Sequence, residues 1–117
     1  IGHGTYMGGA TSILGDEWIK PGWIDDNNFV IEEVDTIKTS EFLLSNFDIK
    51  SYIVCKLDVE GAEFKILENL INEDCLKYFN EAYVEWHPQH NSDYSIKDVT
   101  NLKKKMIRKG IYVGFWL

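Results

Sequence analysis

The chain has 117 residues, of which 44% are hydrophobic and 26% charged, with 19 acidic against 12 basic side chains and a formal net charge of -7. That length supplies one hydrophobic core rather than two, and the apolar share excludes a disordered or collagen-like chain. An acidic balance of this size opposes a phosphate-tracking nucleic-acid surface, which needs a basic stripe to release counterions.

The compact basic run Lys103-Lys104-Lys105, with Arg108 and Lys109, falls where a helix should end. The helix dipole favours cations there, so the run reads as a solvated helix end. Cys55 and Cys75 form neither a Cys-x-x-Cys nor a Cys/His metal pattern and lie among apolar residues. They read as buried free thiols, which fits a reducing, cytoplasmic compartment. No stretch reaches the roughly 20 apolar residues of a membrane-spanning helix, and no signal peptide is visible. The chain opens on Ile1, and is read as an excerpt, a processed product or an incomplete gene.

Taken in chain order, a single domain over 1–117 opens with a loop-rich segment, 1–28, punctuated by Gly2, Gly4, Gly8, Gly9, Gly15 and the turn Pro21-Gly22. Gly2-x-Gly4-x-x-x-Gly8 has the wrong spacing for a dinucleotide fingerprint and follows no strand. Phe29-Val30-Ile31 and Val34-Asp35-Thr36-Ile37 then read as one strand or two short ones by their β-branched content. Thr39 and Ser40 cap a short helix carrying Phe42, Leu43 and Phe47. The nearly continuous apolar run from Tyr52 to Leu57 predicts a strand covered on both faces, stopping at Asp58-Val59-Glu60-Gly61.

From Ala62 the period becomes helical, with Phe64, Ile66, Leu67, Leu70 and Ile71 along one stripe. Asn72 caps a second short helix through Phe79, and Glu81 to Trp86 forms the next strand. Ser95 with Asp98 resembles a capping box opening a helix whose core face is Ile96, Val99, Leu102 and Met106. Gly110 closes that helix, and Ile111 to Leu117 supplies a final strand. An order of strands alternating with helices calls for an α/β fold built on a mostly parallel sheet.

In such sheets ligands bind beyond the carboxyl ends of the strands. Asp58 and Glu60 end one strand, Glu85 and His87 end another. If the two strands are neighbours, the clusters lie about 5 Å apart and face one crevice. The residues by themselves leave a bland reading open. Glu60 and Glu63 suit a helix N-terminus through the dipole, and Asp58 suits a turn. His87, which precedes Pro88, and His90 read as loop residues without a ligand role, and no metal site is predicted.

The segment Lys56-Leu57-Asp58-Val59-Glu60-Gly61-Ala62-Glu63-Phe64-Lys65-Ile66-Leu67 resembles the signature of the FkbM methyltransferase family. The surrounding order of elements agrees from Phe29 to Trp86. The resemblance implies a Rossmann-like class I fold and transfer of a methyl group from S-adenosylmethionine to an oxygen of a small-molecule or glycan substrate. It also implies that Asp58 and Glu60 are the acidic pair bordering the methyl-transfer site and that Glu85 is the acidic end of the next strand. The strand, Gly-x-Gly turn and acidic residue that grip the cofactor in such enzymes find no place here, so N-terminal cofactor-binding strands are expected to be missing and no cofactor-binding residue is assigned. A sheet cut in this way is expected to self-associate.

Two further readings stand beside this one. The first is a non-catalytic half-domain kept for assembly, in which the acidic surface and the tail residues Phe115 and Trp116 meet a partner. The second is a hydrolase whose Asp58, Glu60, Glu85 and His87 bind a divalent ion.

Overall fold

A computed structural model describes residues 2–7, 10–12 and 30–114. Three parallel strands run in the order β4-β5-β6, with β4 at Val54–Leu57, β5 at Glu81–Val84 and β6 at Tyr112–Gly114. The register pairs Val54 with Glu81 and Leu57 with Val84, and on the other side Glu81 with Tyr112. A helix fills each connection. Helix α2, Glu63–Asn72, follows β4, and helix α3, Ile96–Arg108, follows β5.

Both helices bury the stripe their sequence spacing dictates. Phe64, Leu67 and Leu70 of α2 and Met106 of α3 have no exposed surface, and Val99 and Leu102 join them. Against these pack Ala82 and Val84, the inward residues of β5, with Cys75, Leu76, Phe79 and Ile111. Each buried Leu, Ile, Val, Phe or Met side chain among them contributes about 1.5–3 kcal/mol of burial free energy. Phe64 is also the centre of an aromatic stack, with Tyr94 parallel at 4.3 Å between ring centroids and Trp86 tilted at 5.8 Å.

The ends of α3 follow the sequence signals closely. Ser95 and Asp98 form the reciprocal capping box, and Lys105 and Arg108 occupy the last turn of α3. Gly110 adopts the positive φ of a left-handed C′ residue, 84°. Asn80 sets the start of the sheet, because its Oδ1 accepts from the Ile53 amide at 2.7 Å while its own amide donates to the Ile53 carbonyl at 2.8 Å.

Several expectations are corrected. Residues Gly2–Met7 and Ala10–Ser12 form strands β1 and β2 where glycine content predicts a loop, and β3, Val30–Val34, joins them. These three make a separate antiparallel sheet, β2-β1-β3, in which Gly2 pairs with Val34 and Tyr6 with Val30. Cross-strand pairing overrides the low local propensity of Gly2 and Gly4. The strand expected at Val34 to Ile37 therefore ends at Val34 and does not enter the parallel sheet.

Strand β4 is not covered on both faces: Val54 is 53% exposed and Lys56 is exposed, whereas Cys55 and Leu57 are half-buried. Ile96 faces solvent rather than the core, as do Phe42 and Phe47, so Leu43 carries the packing of helix α1, Thr39–Asn46. Thr39 and Ser40 lie inside the first turn of α1, whose N-cap is Lys38, and the buried Ser40 amide donates to Asn69 Oδ1 of α2 at 3.3 Å. The helix expected from Asn72 to Phe79 is a single 3-10 turn at Leu76–Tyr78. The expectations placed on 13–29 and on the tail from Phe115 lie outside the described residues.

Candidate functional site

Because β4 and β5 are parallel neighbours, their carboxyl ends open on the same edge of the sheet. The Glu85 amide donates to the Leu57 carbonyl at 2.9 Å, so pairing continues to the last residue before Asp58. Beyond that point the chain after β4 makes a tight turn through two positive-φ residues, Glu60 at 53° and Gly61 at 104°. The Gly61 value is one that side chains resist, which fixes glycine there, while Glu60 accepts about 1–2 kcal/mol of backbone strain.

The turn is held by buried groups. Glu63 is 0% exposed, and its carboxylate accepts backbone N–H bonds from Gly61 at 2.9 Å and from His87. Asn91, also buried, donates from Nδ2 to the Gly61 carbonyl at 3.0 Å. One carboxylate thus ties the β4 turn to the segment after β5. A charge this deep is tolerated because two backbone donors satisfy it.

His87 is 5% exposed, and its imidazole is the hub of the site. Its Nε2 lies 3.5 Å from Glu60 Oε2, 3.5 Å from Glu85 Oε1 and 3.9 Å from Asp58 Oδ1. Its Nδ1 makes no hydrogen bond and lies 3.6 Å from Glu63 Oε1. Pro88 opens a 3-10 turn, Pro88–His90, which suits its fixed φ and missing donor. The turn brings His90 back over His87, with the rings stacked at 5.2 Å and 8°. His90 Nδ1 then reaches Glu60 Oε2 at 2.9 Å.

The three acidic residues expected at the site, Asp58, Glu60 and Glu85, are therefore brought together around one imidazole. The reading of His87 and His90 as unremarkable loop residues is corrected in position: both are buried, and both contact the acidic set. Neither Asp58 nor Glu60 caps α2, whose N-cap is Ala62 with no side-chain cap bond. Glu63 and Asn91 escaped the reading of the sequence as site-building residues. The signal for Glu63 was its place as the last acid of the signature, and the signal for the histidines was their i, i+3 spacing around a proline.

A cleft of about 240 Å³ opens nearby, between the start of α1 and the first turns of α2, lined by Lys38, Thr39, Ala62, Lys65 and Ile66 among others.

A polar cluster beyond the carboxyl ends of adjacent parallel strands is the arrangement in which α/β folds bind their ligands. The profile of the methyltransferase FkbM domain matches residues 3–107, and the chain belongs to that family, whose membership indicates methyltransferase activity. Searches of curated proteins and of solved structures return no match. Among the described residues, no helix is long and apolar enough to cross a membrane.

Proposed function

We propose that the chain carries the acceptor side of an O-methyltransferase site of Rossmann-like class I type, with S-adenosylmethionine as methyl donor and a hydroxyl of a small molecule or glycan as acceptor. The convergence of Asp58, Glu60 and Glu85 on His87 is the observation that carries this reading. The donor supplies an electrophilic methyl carbon on a sulfonium. What the chain must supply is an oriented oxygen and a place for its proton.

Glu60 is assigned the proton. It is held in a strained turn beside His90, and its carboxylate is less exposed than those of Asp58 and Glu85. Asp58 and Glu85, on the outer rim, accept hydrogen bonds from the acceptor hydroxyls and fix their direction. Glu63 acts through His87 and Gly61 as a positioning residue.

The cleft beside α2 does not suit the cofactor. Its volume of about 240 Å³ is below the roughly 300–1,000 Å³ of small-molecule sites, and the ammonium groups of Lys38 and Lys65 oppose a sulfonium cation. No cofactor-binding residue is assigned on that ground. The exposed side chains of Tyr52 and Val54 at β4, an end strand among the described residues, further support self-association.

The test is transfer of radiolabelled methyl from millimolar S-adenosylmethionine to a panel of sugars and polyols by the purified chain. Label on an acceptor oxygen is the expected result. Label on nitrogen or carbon acceptors, with none on oxygen, would refute O-methylation.

A further inference from the structure

We infer that Asp58, Glu85 and His87 form a binding site for one divalent transition-metal ion, held at the mouth of the parallel sheet with a solvent-facing side left open. The binding claim stands on these residues alone; the use of the ion in activating an acceptor hydroxyl rests on the methyltransferase reading above.

The first observation is the donor set. One oxygen from each carboxylate and one imidazole nitrogen lie within 4.8 Å of one another, and the nitrogen facing the carboxylates is 3.5 Å from Glu85 Oε1 and 3.9 Å from Asp58 Oδ1. Donors about 2.0–2.2 Å from a shared ion sit about 3–4 Å apart, so the ligands need only the small closure that side-chain rotation on the exposed rim allows. Asp58 and Glu85 are at 40% and 44% side-chain exposure, which leaves them free to make it.

The second observation is the burial and aim of His87. Its side chain is 94% buried, since 6% is exposed. Its Nδ1 has no hydrogen bond and its Nε2 is directed at the carboxylates. The backbone of His87 is held by its amide bond to Glu63, and the ring is packed by burial and by the stacked His90 ring. Glu63 Oε1, 3.6 Å behind Nδ1, stands where the carboxylate behind a metal-bound imidazole usually stands, and a modest approach would bond it. A rigid imidazole with two mobile rim carboxylates is a site prepared on its inner side and closed by the ion.

The third observation is charge. Asp58 and Glu85 meet near Nε2, and among the described residues neither has a lysine or arginine ion pair. A divalent cation offsets their mutual repulsion. Mixed imidazole and carboxylate donors favour zinc, manganese or iron over magnesium, which prefers oxygen and water. Glu60 and His90, 2.9 Å apart, stand next to the ion and outside the proposed triad. An acceptor hydroxyl on the open side would be polarised by the ion and would pass its proton to Glu60.

Cobalt(II) is the probe, because its visible absorption reports nitrogen and oxygen ligation directly. Tag-free chain, stripped with chelator, is titrated with Co²⁺ in the absence of S-adenosylmethionine, so the result is independent of methyl transfer. Saturation at one ion per chain is expected, with zinc displacing it and millimolar magnesium not. Asp58→Asn and Glu85→Gln, both on the exposed rim, should each weaken binding about tenfold or more while leaving the melting temperature of the metal-free protein unchanged. Asp74→Asn, at an exposed surface ion pair with Lys77, serves as control and should bind as the parent does. Absent or non-saturating absorption, equal displacement by magnesium, or binding that survives both rim substitutions would each overturn the site. Failure here would leave the methyltransferase assignment intact, and failure to methylate would leave the metal site intact.

Discussion

Glu63 is the residue on which the local architecture turns. It is fully buried, and its two oxygens satisfy the amides of Gly61 and His87, which belong to different strand-end segments. Removing it leaves two buried donors without partners. Glu63→Ala should therefore cost about 3 kcal/mol of folding stability, from two charge-assisted bonds of about 1.5–3 kcal/mol each less what water recovers. Chemical denaturation measures this; a loss under about 1 kcal/mol would show that the carboxylate is not the tie described here. In the sequence Glu63 was visible as the last acid of the signature and as an acid near a helix start, where the dipole alone explains it. Its burial depends on His87, 24 positions on, and no local pattern records such a contact.

Cys55 and Cys75 behave as the apolar sequence around them predicts. Burial pushes the Cys55 thiol up to about 11, and burial likewise raises Cys75. The folded state holds the Cys55 proton more tightly than the unfolded chain does. Its contribution to stability is thus present below the unfolded value near 9 and is lost as pH rises toward 11. At pH 8 native Cys55 carries about a hundredth of the thiolate of the unfolded chain. Iodoacetamide should accordingly label native Cys55 far more slowly than denatured Cys55 at that pH. Equal rates in the two states would contradict the burial.

Among the elements, those written in strong periodicity were legible and those made by pairing were not. Helices α2 and α3 carry apolar residues at helical spacing and, in α3, a capping box; both lie where the sequence puts them to within a residue. Strands β4 and β5 fall inside the predicted runs, each shorter than predicted because pairing, and not composition, sets the ends, and the described part of β6 falls inside its run. The antiparallel sheet was not legible. Its strand β1 contains Gly2 and Gly4, and only the partners β2 and β3 make it a strand. The sequence clue was the Gly8-Gly9 pair, of a type that two-residue hairpins favour. Ile96 shows the limit of periodicity at a helix start, where the stripe had not yet turned to the core.

Helix α2 is the element that couples core to site, since Glu63 begins it and Phe64, Leu67 and Leu70 anchor it. Leu67→Ala should destabilise by about 2–5 kcal/mol through lost burial and a residual cavity. Denaturant unfolding reads the cost; a value below 1 kcal/mol would mean that the helix is not held by this stripe.

At the scale of the whole molecule, the parallel sheet among the described residues ends at β4, and around that end lie Tyr52 at 69% and Val54 at 53% exposure. We propose that a second copy covers this surface. Sedimentation at micromolar concentration should then give a mass of at least twice 13.6 kDa, and Val54→Lys should return it to the single-chain value. A parent chain that stays at 13.6 kDa up to about 100 times that concentration would contradict the proposal. Positions of Asp58, Glu60 and Glu85 at one edge followed from the order of elements in the sequence. The strand-end position of His87 followed too, but the burial of His87 and His90 did not, because it arises only when the segment after β5 folds back over the β4 turn.

The central claim is that the carboxylate and histidine cluster is where the acceptor oxygen loses its proton, with Glu60 as the group that takes it. The rate of methyl transfer by Glu60→Gln, measured beside its melting temperature, tests this most directly. Glutamine keeps the size of the side chain and the strained turn but accepts no proton. The expected result is a fall in rate of about 10²–10⁴-fold, with a melting temperature within about 2 °C of the parent. A variant that transfers methyl groups at the parental rate, or one that loses activity only in step with its fold, would contradict the assignment.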